Sequence, residues 1–365
     1  MNLSLSIKYY LIKPEKYAMI NLSKHERTEK ILMKPLLITK KILSLILLLI
    51  LCFFAGILLG SVPLSPKSVL RCLFGLDKET TTYVLINTVR LPRAMGACLA
   101  GMGLSTSGVI LQSVMNNSLA SPNTIGVNSG AGFAVMLSLM FGYSKTLGIS
   151  AAAFFGSLVA TLSIYGLAYM ADSSRTTIIL AGITVSSFLN AGINTIKLLD
   201  TDITINLTTF MIGSLSGLTF ETLQFPAIAI FIALILSFLL ARSINILCLG
   251  DETARSLGLH VTATRLTLLV LSSMLSGCVV SYAGLLSFVG LIIPHICRRL
   301  FGNDARYLLP CSALLGASFV LACDILGRVL FAPFELPAGI LLSFVGGPFF
   351  LYLLFQKKGG RRVNA

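Results

Sequence analysis

Between residues 42 and 355 the chain is a near-continuous succession of apolar runs, more than a soluble core of this length can bury. They fall at about 42–62, 94–114, 124–142, 148–170, 177–197, 224–242, 263–284, 285–300, 308–327 and 338–355. Most approach the roughly 20 residues that a helix needs to cross hydrocarbon, and the short run at 285–300 reads as partly re-entrant. In lipid the backbone must satisfy its own polar groups, so the pattern predicts an all-α, polytopic membrane protein with about ten transmembrane helices. Charged residues make up only 12% of the chain, against about a quarter in soluble domains.

The formal net charge of +14 does not mark a nucleic-acid binder, because the basic residues cluster in the tail and loops, as the positive-inside rule requires. This bias places the N-terminus in the cytoplasm, and ten spans bring the C-terminus back to the same side. The expected layout is a cytoplasmic tail over 1–41, a membrane domain over 42–356 and a second cytoplasmic tail over 357–365. Residues 63–93 read as a polar connection on the opposite, outer face, where Arg90, Arg93 and Arg328 fall.

Span interiors hold almost no ionisable residues, with Asp324 as the main exception, so a proton or sodium relay has little to work with. No GxxxxGK[ST] loop is present, and the three histidines (His25, His260, His295) are scattered. His295 therefore reads as structural, and no catalytic or metal-ligating set is expected. The eight cysteines lie mostly in apolar runs without CxxC spacing and read as small core residues. Glycines such as Gly96, Gly101, Gly103 and Gly108 suit close helix packing.

One charged island interrupts the apolar pattern at 247–259. In helical spacing, Ala254, Leu257 and Gly258 share one face, while Asp251, Glu252 and Arg255 meet water or a partner; Gly250 and Gly258 punctuate its ends.

Five motifs in order carry a family resemblance: Arg90-Leu91-Pro92-Arg93; Asn117 to Pro122 followed by Ile125-Gly126-Val127; Leu249 to Gly258; Phe288 to Arg298; and Glu335 to Ile340 with Gly347-Pro348-Phe349-Phe350. Over about 42–356 the chain resembles the FecCD permeases of ABC importers for iron-siderophores, haem and vitamin B12. The resemblance implies type II importer architecture and a transport subunit with no covalent chemistry and no cofactor of its own, ATP and Mg being used by a partner ATPase. Its implied partners are two cytoplasmic ATPase subunits, an external substrate-binding protein, a second permease copy or paralogue, and membrane lipid, with no nucleic acid. It gives Gly250, Asp251, Glu252, Ala254, Arg255, Leu257 and Gly258 to ATPase coupling, with Ala254 and Leu257 filling the partner's groove. It gives Arg90, Arg93 and Arg328 to binding-protein docking, and Asn117, Ser118 and Leu119 to a cytoplasmic gate. The implied cargo is a metal chelate, ferric siderophore ahead of haem and cobalamin, passing through a mostly apolar cavity. The sequence departs from the family at Ser118, where proline is usual, and at Leu285-Leu286-Ser287, which is less glycine-rich than the usual approach to Phe288.

Overall fold

The computed structural model describes residues 39–60, 62, 64–73, 80–123, 126–142, 146–171, 175–200, 208 and 210–359. The expected N-terminal tail, Ile125 and the end of the C-terminal tail lie largely or wholly outside them. Contacts divide the chain into residues 1–47 and 48–365. In the first unit, α1 (Thr39–Leu58) begins with Ser44 Oγ donating to the Lys41 carbonyl at 2.7 Å. The second unit contains the rest of α1 and all that follows.

In order these are α2 (Pro66–Leu73), α3 (Thr81–Val114), α4 (Val127–Met140), α5 (Thr146–Met170), α6 (Arg175–Leu199), α7 (Phe220–Leu239) and α8 (Ala241–Leu247). They continue with α9 (Asp251–Ser256), α10 (Val261–Ala283), α11 (Val289–Phe301), α12 (Ala305–Val329) and α13 (Ala338–Gly359). Each of the ten apolar runs contains a helix. Seven helices among the described residues are long and apolar enough to cross a membrane: α1, α3, α5, α6, α7, α10 and α12. The third, eighth and tenth runs give shorter apolar helices over Val127–Met140, Val289–Phe301 and Ala338–Tyr352, so the structure supports a multi-pass helical protein without fixing ten full spans.

The core is built around α3, which packs on α10, α11 and α12. Its most apolar stretch is 83% buried, against 17% for α6. Backbones meet where α3 and α12 cross: a β-carbon on either Gly101 or Gly316 would overlap the other's carbonyl oxygen, so only glycine permits this approach. Hydroxyls join α10 to its neighbours, with Ser107 Oγ donating to the Ser272 carbonyl at 3.0 Å and Thr161 Oγ1 to Ser273 Oγ at 3.0 Å.

Two boundaries differ from the sequence reading. Helix α3 begins at Thr81, so Arg90 and Arg93 belong to a 34-residue helix and not to a polar connection. Pro92 has no N–H to donate, and over Ile86–Arg90, just before it, the ladder widens to a π-turn in which Leu91 N–H reaches the Ile86 carbonyl. The eighth run is not helical at its start. Residues 284–287 are non-helical, and α11 begins only after Phe288, which adopts a left-handed φ of 67°.

Candidate functional site

The non-helical residues 284–287 lie at a junction of three segments whose backbones are hydrogen-bonded in turn. Leu285 N–H donates to the Phe210 carbonyl at 3.0 Å, Ser214 N–H to Ala283 at 2.9 Å, and Gly339 N–H to Gly213 at 3.1 Å. Between these segments lies a cavity of ≈ 430 Å³ lined by residues including Met211, Leu285, Ser287, Ser343 and Phe344. At membrane depth irregular backbone is tolerated only when buried in protein or lining a wet cavity, and this junction has both partners and a cavity.

The proposed gate follows α3. Asn116, at φ 47°, ends the helix in a Schellman arrangement, with Asn117 N–H on Gln112 O at 3.0 Å and Asn116 N–H on Ser113 O at 3.2 Å. A turn then closes from Ala120 N–H to Asn117 O at 3.1 Å, with Asn117 Oδ1 accepting from Leu119 N–H at 3.0 Å. Ser118 holds the second position of this turn, where proline is favoured; the Asn117 side chain supplies the local order that a proline ring would otherwise impose. Asn117 and Leu119 face a cavity of ≈ 370 Å³ shared with Ile179, Ile183, Ser186 and Ser187 of α6.

Helix α6 carries a feature that sequence reasoning missed. Thr184, Ser187, Asn190 and Asn194 are exposed at helical spacing along a helix otherwise suited to lipid. Amide side chains facing hydrocarbon are costly, so this stripe belongs against water or another polypeptide. The i, i+4 pair Asn190 and Asn194 was the available signal.

The island forms the six-residue α9. Asp251 and Glu252 lie in its first turn, where negative charge offsets the exposed amides. It closes on Gly258, whose φ of 80° permits Leu259 N–H to reach Ala254 O at 3.0 Å and Gly258 N–H to reach Arg255 O at 2.9 Å. Glu252, Arg255 and Leu257 are exposed, but the expected sharing of one face by Ala254 and Leu257 does not hold. Ala254 is fully buried against its own chain, while Leu257 points outward and Leu249 is also exposed. Ala254 is therefore not presented to fill a partner's groove. Asp251 turns inward as well, accepting from Arg265 Nη2 at 2.9 and 2.7 Å.

At the other end of α3, the three arginines expected on an open face are each 5% exposed or less. Arg93 donates through Nε to Asp324 Oδ1 at 3.0 Å and through Nη1 to Glu335 Oε2 at 2.6 Å. Arg328 pairs with Asp324 at 3.1 Å and donates to the Gly56 carbonyl at 3.1 Å. Arg90 donates to the Ile57 and Leu58 carbonyls at 2.7 Å and also to that of Val62. Arg90 and Arg328 thus satisfy carbonyls that α1 leaves open at its C-terminus. Asp324, itself 1% exposed, sits between Arg93 and Arg328 and supplies the counter-charge for the burial of those two.

Among the described residues no group of three His, Cys, Asp or Glu is placed to hold a metal ion, and all eight cysteines are free thiols. His295 packs edge-on against Phe349 at 6.1 Å between ring centres, joining two of the five motifs.

The FecCD transport family matches residues 48–356. The iron(3+)-hydroxamate import system permease protein FhuB of Bacillus subtilis is 36% identical, covering 86% of this chain and 82% of its own. The achromobactin transport system permease protein CbrC of Dickeya dadantii is 38% identical over 86% and 91%, and the hemin transport system permease protein HmuU of Yersinia pestis 33% over 87% and 96%. A solved transporter assigned to the metal-chelate ABC type, in an inward-facing conformation, superposes with a TM-score of 0.77 at 29% identity, covering 87% of this chain and 99% of its own. The chain belongs to the FecCD transport family.

Proposed function

We propose that this chain is the membrane-spanning permease subunit of an ATP-driven importer for iron chelates, with ferric siderophores ahead of haem and cobalamin as cargo. Its relatives named for hydroxamate, achromobactin and hemin transport support the chelate class. The observation that carries a transport path is the neutral polar stripe Thr184–Ser187–Asn190–Asn194, one face of which meets the gate cavity at Ser187. A second permease copy placed against α6 would close a channel around these residues. Neutral amides and hydroxyls can release a bulky chelate more readily than fixed charges, leaving selectivity to an external binding protein.

In this reading α9 faces the cytoplasm and meets an ATPase subunit through Glu252, Arg255, Leu257 and Leu249, while ATP and Mg are used by that subunit. The termini lie on the same cytoplasmic side, and Asn117, Ser118 and Leu119 form the inner gate. Arg90, Arg93 and Arg328 serve binding-protein docking by holding the outer rim in shape, with Glu335, about a third exposed, at its edge.

The test is uptake of labelled ferric siderophore, ferric citrate, haem and cobalamin by cells with and without this gene, the ATPase and binding protein being retained. Loss of uptake for one chelate identifies the cargo. Unchanged uptake of all four, with no ATPase co-purifying with the chain, overturns the reading.

A further inference from the structure

Helix α9 is joined to the chain at two glycines. Gly250 and Gly258 flank it at φ 105° and 80°, and a β-carbon at either would meet nothing within 4 Å, so no side chain packs on the backbone there. The Asp251–Arg265 pair bypasses the second joint, tying the first residue of α9 to the second turn of α10. Arg265 is 3% exposed, whereas the Asp251 side chain is 32% exposed. A guanidinium buried that deeply is held at real cost unless its counter-charge stays in place. Helix α10 is in turn joined to α3 through Ser107 and Ser272, and to α5 through Tyr165 Oη, which donates to the Thr262 carbonyl at 3.1 Å. The C-terminus of α3 carries the Asn117 turn.

We propose that the Asp251–Arg265 ion pair is the link through which α9 moves α10 and α3, making Arg265 a positioning residue for transport. This inference rests on the reading of α9 as the ATPase-facing surface. It reassigns Asp251 from partner contact to internal transmission, and leaves the contact itself to Glu252, Arg255 and Leu257. Coupling of this kind can be carried by a chain of packed side chains and hydrogen bonds, and the contacts named here form one.

The experiment uses the full complex of permease, ATPase and binding protein in proteoliposomes, supplied in turn with iron as ferric hydroxamate, ferric citrate and haem. Single variants Asp251→Asn and Arg265→Gln each leave a charge without its partner, so the decisive variant is the neutral double, Asp251→Asn with Arg265→Gln. It is expected to retain the ATPase subunit and ATP hydrolysis within about twofold, while uptake per ATP falls about tenfold or more. Asp251→Glu, which preserves the charge, should keep uptake within about threefold. Uptake within about twofold of wild type in the neutral double would overturn the link. Loss of ATPase association in the double would overturn it too, because the pair would then shape the contact surface instead of transmitting from it. If the wild-type complex neither assembles nor imports any of the three chelates, the functional reading itself fails, a result separable from the behaviour of the variants.

Discussion

Two polar regions, the arginine end of α3 and the α9 island, treat charge in opposite ways. At the arginine end, three guanidiniums and Asp324 are buried among α1, α3 and α12, with every arginine donating to carbonyls or carboxylates of its own chain. In the island, Glu252, Arg255 and Leu257 stand exposed on a helix of six residues. Both stretches look alike in the sequence, as short polar interruptions between apolar runs. The difference lies in what the rest of the chain brings to them: α12 delivers a carboxylate to one, while Arg265 reaches into the other.

The comparison can be broken most forcefully at Asp324. Asp324→Asn leaves Arg93 and Arg328 buried without their shared carboxylate, and should cost about 3–5 kcal/mol, read as a large fall in thermal unfolding temperature in detergent. A loss below about 1 kcal/mol would mean that the arginine end relaxes freely and is not a structural clamp. Glu335→Gln tests the edge of the same cluster. Because Glu335 is partly exposed, its loss should cost about 1 kcal/mol, measurable in the same assay.

For the island the expected result is the reverse. Glu252→Ala with Leu257→Ala should change stability by no more than about 0.5 kcal/mol while weakening ATPase co-purification several-fold. A large stability loss with normal association would erase the contrast between the two regions.

The smallest effect concerns Asp304, the N-cap of α12, which accepts from Arg306 N–H at 3.0 Å and from Asn245 Nδ2 at 2.8 Å. Hydrogen bonds from the Arg306 side chain lead in holding its carboxyl down to about 2, with further help from Asn245. A depressed acid stabilises the fold above its unfolded pKa of about 3.9, and that stabilisation is lost as pH falls through about 2. Asp304→Asn keeps a capping oxygen but removes the charge. Its stability, followed by the melting temperature, should sit slightly below wild type from pH 5 to 8, by less than about 1 kcal/mol, with the gap closing below about pH 4.

Helix content and the family motifs were legible because they are local: hydropathy runs, glycine spacing and ordered short motifs. The fate of individual charges was not. Arg93 lies 231 residues from Asp324, and nothing in the Arg90–Arg93 stretch announces that partner. The start of α3 was hidden because Thr81–Arg90 is polar enough to read as a loop, although Tyr83 and Ile86 pack against α1 and α2 once folded. Ala254 was misplaced for a related reason: helical periodicity gives the residues that share a face, but in a six-residue helix the flanking glycines turn the chain, and Leu257 falls at the cap. The α6 stripe was visible in principle, since Asn190 and Asn194 are out of character for a lipid-facing helix, but apolar run length outweighed it.

The distance between Arg93 and Asp324 also has a consequence for synthesis. When α3 leaves the ribosome, the carboxylate that pairs with Arg93 has not yet been made. Helices α1 and α6 are apolar and little buried, so their place in the bilayer depends little on the rest of the chain. Helix α3, the centre of the finished protein, gets its full set of partners only once α12 has been synthesised, so a chain cut short before Asp324 would leave the Arg93 guanidinium without that counter-charge.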